Sequence, residues 1–194
     1  MISHVDKRVG NIIQTLKDNG LYENTIIIFA GDNGLAVGQH GLMGKQNVYE
    51  HSVSVPLMIK AAAQHTGKKT ADLCYLIDVF PTLCDMLQLP VPQSVDGISL
   101  LSSLDGKEPV RDYLYYSYMD NQRGISDGTW KLIEYHVNGK RTTQLFNLKN
   151  DPWERNDLSG QKKYEKTIQR LREKMAEEQK RTNDTSVFWN NFSY

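Results

Sequence analysis

Cysteine is scarce, with Cys74 and Cys84 the only two in 194 residues. That number excludes a disulfide framework and their spacing excludes a zinc-binding pair, so both read as plain buried thiols. Long apolar runs are missing as well. The longest clean one, Ile26 to Ala30, falls far short of the roughly 20 residues that span a bilayer, so neither a transmembrane helix nor a membrane partner is expected. Neither sign of charge dominates: 23 Lys and Arg stand against 23 Asp and Glu. This removes the sequence-wide electrostatic argument for nucleic acid as a partner, and any anion must be bound locally. The first ten residues carry charges where a signal peptide needs its apolar stretch, so nothing in them directs export. No internal repeat is present.

What is present is ordinary globular composition, 39% hydrophobic and 24% charged, which predicts a packed core. Ile2, Val5, Val9, Ile12, Ile13 and Leu16 recur at steps of three and four, the stripe of an amphipathic helix that stops at Asn19-Gly20. Thr25 to Ala30 is a β-branched run without alternation, the pattern of a strand buried on both faces. A second such strand is expected at Val55 to Lys60, and a helix feeding a buried strand suggests a parallel α/β sheet. Asp78 followed by Pro81, Leu83, Met86 and Leu87 outlines another helix, with Pro81 placed near its first position.

From Gln88 to Lys107 the content of Pro, Gly and Ser rises, and a boundary between two parts, 1–107 and 108–194, is placed at its end. Beyond it, Tyr113 to Tyr118, Trp130 to Val137 and Thr142 to Leu148 read as strands, the last two joined at Asn138-Gly139, a strong hairpin signal. Asn150-Asp-Pro-Trp153 then turns into a helix keeping Tyr164, Ile168, Leu171 and Met175 on one face. The charges from Lys162 to Arg181 are its solvated side. Asn183-Asp-Thr185 and Asn191-Phe-Ser193 match the glycosylation acceptor pattern, which short sequences meet by chance.

Polar groups, glycines and a strand end coincide in one place, Gly31 to Lys45. Loops leaving the carboxyl ends of strands are where α/β sheets place ligands. Asp32 and Asn33 offer a carboxylate and an amide oxygen side by side, hard donors that suit Ca²⁺ or, less well, Mg²⁺. Gly34, Gly38, Gly41 and Gly44 permit a loop wrapped around a small polar ligand, and Lys45 supplies a point charge for an oxyanion. The plainer alternative is that Asp32-Asn33-Gly34 is a turn and that His40 is an ordinary loop histidine.

These residues resemble the formylglycine-dependent (type I) sulfatases of the alkaline phosphatase superfamily. The resemblance runs through Ile2-Ser-His-Val-Asp6, Asn24 to Gly34, Gly38-Gln-His-Gly41, Lys45, Tyr49-Glu50, Val55-Pro-Leu57, Asp78 to Leu83, Asp96 to Leu100, Trp130-Lys-Leu-Ile133 and Gln144 to Glu154. It implies the carboxyl-terminal part of an α/β/α sandwich followed by a small antiparallel sheet with a terminal helix. It further implies sulfuric ester hydrolysis, with Asp32 and Asn33 as ligands of one Ca²⁺ ion, Lys45 on the sulfate, His40 on the substrate side of the pocket, and Arg123 reaching the leaving group. The partner implied is a sulfated small molecule or glycan, and the compartment periplasmic, secreted or lysosomal.

One departure matters. The family makes its nucleophile from a Cys within Cys-x-Pro-x-Arg, and neither Cys74-Tyr75-Leu76 nor Cys84-Asp85-Met86 fits. The expectation is that the formylglycine nucleophile and the first metal carboxylates lie in an amino-terminal half preceding Met1, and that this chain alone is inactive. The alternatives are a phosphate or phosphonate ester hydrolase of the same superfamily, and a non-catalytic fragment that binds sulfated glycans.

Overall fold

In the computed structural model, residues 1–61, 67 and 69–186 are described; Asn191-Phe-Ser193 lies outside them. Helix α1 runs Ile2–Asp18. Its end is closed by backbone bonds from Gly20 N to Lys17 O (3.0 Å) and from Leu21 N to Leu16 O (2.8 Å). Gly20 takes the left-handed turn this closure needs, at φ 68°. The chain enters strand β1, Ile27–Ala30, and leaves it through a long loop. That loop contains the short pair β2, Ala36–Val37, and β3, Met43–Gly44. A single-turn helix α2, Glu50–Val53, leads into strand β4, Leu57–Lys60.

Strand β4 pairs with β1 in antiparallel register, Ile27 opposite Lys60 and Ala30 opposite Leu57. The parallel pairing expected from the sequence is therefore corrected. The connection between the two is a loop and one helical turn, which returns the chain alongside itself, whereas parallel neighbours need a full crossover. The expected burial on both faces is corrected as well: Phe29 and Met58 stay exposed. A two-stranded ribbon has no second layer over these faces among the described residues. The apolar stripe of α1 is likewise open, with Ile2, Val5 and Ile12 exposed.

Helix α3, Val79–Met86, begins two residues before Pro81, whose missing N–H falls where no helical partner exists anyway. The fully buried Asp78 carboxylate accepts from Tyr75 N (2.8 Å), Ile98 N (2.8 Å) and the Arg111 guanidinium (2.5 Å). That knot ties α3 and the following turn α4, Leu101–Leu104, to the approach of the second sheet.

The second sheet is four-stranded and antiparallel, formed by β5 (Leu114–Tyr118), β6 (Gln122–Ser126), β7 (Trp130–Val137) and β8 (Lys140–Asn147) in that order. The β7–β8 turn has Asn138 at φ 52° and Gly139 at φ 73°, the left-handed pair of a two-residue hairpin. Strand β6 has no counterpart among the strands expected from the sequence, because Gln-Arg-Gly-Ile-Ser carries no apolar alternation. Helix α5, Glu165–Arg181, covers one face, burying Ile168, Leu171 and Met175 against Tyr115, Ile125, Leu132 and Leu145. The opposite face holds Ile133 and Phe146, on which Val48 and Tyr49 of the long loop sit. One sheet thus has the helix on one side and the loop on the other. The whole is mixed α/β.

Candidate active site

The loop from Gly31 to Tyr49 leaves the end of β1 and is held from two directions. On one side Asn33 Nδ2 donates to the Ser52 carbonyl (3.0 Å), which also accepts the Gly34 N–H (3.0 Å). This bond ties the Asn33 amide nitrogen to α2. Gly34 lies so close to α2 that a Cβ there would stand 1.8 Å from the His51 carbonyl oxygen. Asp32 is exposed, and its carboxylate accepts from the Lys45 ammonium at 3.3 Å. Asp32 and Lys45 therefore meet at the foot of the loop, while the side chain of the neighbouring Asn33 is turned to the Ser52 carbonyl.

His40 stands on the opposite arm in left-handed backbone, φ 54° and ψ 22°, a conformation that costs a non-glycine residue about 1–2 kcal/mol. Its imidazole lies flat on the Tyr49 ring, centroids 3.9 Å apart and planes 4° from parallel, with His51 at 5.5 Å. Tyr49 is in turn pinned to the sheet by a 2.7 Å bond from its hydroxyl to Gln144. Burial, followed by the charges of His40 and Lys131, holds the His51 imidazole below its ordinary pKa. A groove of about 350 Å³ runs between this arm and the sheet, lined by His40, Tyr49, Gln122, Tyr135, Lys140 and Gln144.

Arg123 is not brought to this place. It shares a strand face with Ile125, on the α5 side of the sheet, and it is buried in an ion pair with Asp184 at 2.7 Å. Its guanidinium also donates to the carbonyls of Met119 (2.6 Å) and Gln122 (2.8 Å). Alternation along β6 sets this: residues one step away, such as Gly124, face the loop.

Residues that sequence reasoning did not single out lie under α2. Lys131, fully buried, pairs with Glu50 at 2.8 Å and Glu154 at 3.2 Å, and its ammonium stands 5.1 Å from the Tyr116 ring centre. Glu154 also accepts the backbone N–H of Glu50 at 2.6 Å. Burial raises the Glu154 pKa against the lowering effect of Lys131. The available signal was a lysine inside the apolar strand Trp130-Lys-Leu-Ile133, a position that demands a buried counter-charge.

As to metal binding, Asp32 and Asn33 form a hard-oxygen pair that fits Ca²⁺ or Mg²⁺ in kind. Two ligands fall short of the 6–8 oxygens Ca²⁺ takes, and no group of three or more His, Cys, Asp or Glu side chains able to hold a metal occurs among the described residues.

This arrangement of ribbon, loop, four-stranded sheet and helix matches the carboxyl-terminal portion of sulfatase structures. The profile of the family described as N-sulphoglucosamine sulphohydrolase, C-terminal, matches residues 38–181, and the chain belongs to that family, within the sulfatases of the alkaline phosphatase superfamily. An N-acetylglucosamine-6-O-sulfatase of Bacteroides thetaiotaomicron is 30% identical over 193 aligned positions, covering 93% of this chain and 34% of the relative. A protein solved in complex with its substrate D-glucosamine-2-N,6-O-disulfate aligns with a TM-score of 0.81 at 28% identity, covering 97% of this chain and 40% of that one. A phosphonate monoester hydrolase of Agrobacterium radiobacter aligns with a TM-score of 0.77 at 28% identity, covering 91% and 39%. The chain spans about a third of the length of the curated relatives it matches.

Proposed function

We propose that this chain supplies part of the cation- and sulfate-binding site of a sulfuric ester hydrolase. The observation that carries the reading is the approach of Lys45 Nζ to 3.3 Å from the Asp32 carboxylate, with Asn33 next in sequence, in a chain of the sulfatase family. Asp32 and the Asn33 amide oxygen are two ligands of one Ca²⁺ ion. When bound, that ion supplies positive charge against the sulfate oxygens. Lys45 adds a second positive charge from a loop held on both sides, a preorganised donor of the kind that stabilises developing negative charge. His40, its ring plane fixed by Tyr49, presents its nitrogens to the substrate side.

Hydrolysis breaks the S–O bond of the ester, puts a water-derived oxygen on sulfur and returns a proton to the leaving alcohol. The nucleophile comes from outside residues 1–194, as a formylglycine in an amino-terminal segment of the same polypeptide. The open apolar stripe of α1, and separately Ile77 just before α3 and Phe80 on it, offer apolar surface on which such a segment would pack, since exposed apolar patches mark interaction sites. No described helix is long and apolar enough to cross a membrane, and the proposed compartment is periplasmic, secreted or lysosomal. The sulfated hexosamine bound by the aligned structure makes a sulfated sugar the first substrate class to try.

The test uses the full-length polypeptide with an aryl sulfate and with sulfated glucosamines, alongside calorimetric titration of Ca²⁺. Asp32→Ala abolishes turnover and lowers Ca²⁺ affinity; undiminished turnover in calcium-depleted buffer overturns the reading. The aligned phosphonate monoester hydrolase favours one second reading, cleavage of phosphate or phosphonate esters. Retained zinc and faster turnover of aryl phosphate than of aryl sulfate would establish it instead.

A further inference from the structure

We infer that Lys131 and Glu154 are positioning residues for the Asp32–Asn33 pair, acting through α2; the inference rests on the functional reading above. The single turn Glu50–Val53 is gripped at both ends. At its start, Glu154 Oε2 accepts the Glu50 N–H at 2.6 Å, and Lys131 Nζ bridges the Glu50 and Glu154 carboxylates at 2.8 and 3.2 Å. At its far end, the Ser52 carbonyl accepts both the Asn33 amide and the Gly34 N–H, each at 3.0 Å. The helical bonds from Ser52 N (2.9 Å) and Val53 N (3.1 Å) to the Tyr49 carbonyl make the turn one rigid piece. Gly34 packed on the His51 carbonyl leaves no slack between that piece and the loop. The position of the four-stranded sheet is thereby handed to Asn33 through one helical turn.

The chemistry of the clamp argues for geometry over mere stability. Burying a lysine with two carboxylates incurs a desolvation cost that an apolar filling of similar volume avoids, so such groups are weak contributors to stability. What the charges provide is direction, because Glu154 binds one specific backbone N–H and Lys131 fixes the two carboxylates relative to it. Glu154 itself stands in left-handed backbone, at φ 53°. Groups one step behind a metal ligand typically change metal affinity or activity by about 10- to 100-fold when removed.

The experiment uses the full-length polypeptide with Glu154→Leu, Glu154→Gln and Lys131→Met. Hydrogen exchange is read at the Gly34 and Glu50 amides against the amides of α5, together with the Ca²⁺ dissociation constant, kcat and KM. Expected for Glu154→Leu is a loss of at least about tenfold in Gly34 and Glu50 protection with α5 unchanged, a comparable loss in Ca²⁺ affinity, and a fall in kcat larger than any rise in KM. Glu154→Gln, which keeps an acceptor oxygen for the Glu50 N–H, restores most of both. Wild-type protection at Gly34 in Glu154→Leu, or a uniform loss across α5 that Glu154→Gln does not rescue, overturns the inference. If Glu154→Leu does not fold, Lys131→Met takes its place under the same criteria. If the wild-type enzyme binds no Ca²⁺ and cleaves no sulfate while the Gly34 effect persists, the functional reading fails and the positioning role stands.

Discussion

Tyr75 sets its hydroxyl against both backbone groups of Tyr115, donating to the carbonyl at 3.1 Å and accepting from the N–H at 2.5 Å. Tyr115 lies on β5, the outer strand of the four-stranded sheet, where unpaired backbone groups invite pairing with another chain. One side chain from the region before α3 therefore closes a stretch of open edge and joins the two halves of the chain. Burial pushes the Tyr75 phenol above its ordinary pKa, so it keeps the proton it donates.

Tyr75→Phe removes that hydroxyl and leaves a buried N–H and C=O without it. The expected cost is about 1–3 kcal/mol, the penalty for unsatisfied buried polar groups. Urea unfolding of wild type and variant measures it; a difference below about 0.5 kcal/mol, the scatter of surface substitutions, would mean that water replaces the phenol.

Gly34→Ala places a methyl group where the His51 carbonyl oxygen already is, 1.8 Å from the ideal Cβ. Backbone cannot give way as a flexible side chain can, so the loop and α2 must part. The expected result is a loss of about 1–3 kcal/mol in stability, on the scale of overpacking, with a larger proportional loss of Ca²⁺ binding. Calorimetry of unfolding and of Ca²⁺ titration, run on one preparation, compares the two.

Asp184 gives a pH prediction. Burial works to raise its pKa, but hydrogen bonds from the Tyr115 hydroxyl and Arg123 outweigh it and hold the carboxyl below its ordinary 3.8. A depressed folded-state pKa means that the carboxylate contributes stability in full above the unfolded value and loses it as pH falls through the folded one. The gap in melting temperature between wild type and Asp184→Asn therefore narrows as pH is lowered from 6 toward about 3. A constant gap would place the origin of Asp184's contribution outside its charge.

Lys45→Ala in the full-length enzyme tests the sulfate-binding role proposed for this ammonium. The expected drop in kcat/KM is about 10²- to 10³-fold, the scale of losing one preorganised stabilising group. A change under about threefold, or roughly 0.65 kcal/mol, would show the lysine to be peripheral. Steady-state kinetics on an aryl sulfate decides it.

Periodicity was enough to locate α1, α5, β7 and the Asn138-Gly139 hairpin, because each is a local pattern whose apolar face or turn chemistry has one structural answer. Pairing was not local. The runs at Ile27–Ala30 and Leu57–Lys60 read as strands, but nothing within them says that they lie antiparallel, and a β-branched run suited to burial need not find its cover within the same chain. Strand β6 has no such local signature because Gly124 and Arg123 interrupt the pattern. Both have tertiary reasons: a Cβ at Gly124 would press on the Tyr116 ring at 3.3 Å, and Arg123 is neutralised by Asp184, far along the chain. At the site, the adjacency of Asp32 and Asn33 was visible in the sequence, and the meeting of Asp32 with Lys45 is now seen in space. The clamp of Lys131 on Glu50 and Glu154 joins three distant stretches and leaves only the trace of a charge inside an apolar strand.

The β7–β8 hairpin has one more consequence. Its two turn residues are exposed, while the flanking Val137 and Lys140 line the groove beside His40 and Tyr49. The ladder behind them, from Trp130 opposite Asn147 to Val137 opposite Lys140, anchors the register well away from the tip. Extra residues inserted at Asn138-Gly139 would lengthen the lip of the groove without reaching the interior, so the mouth can be reshaped by a change of length alone while the scaffold beneath it stays the same.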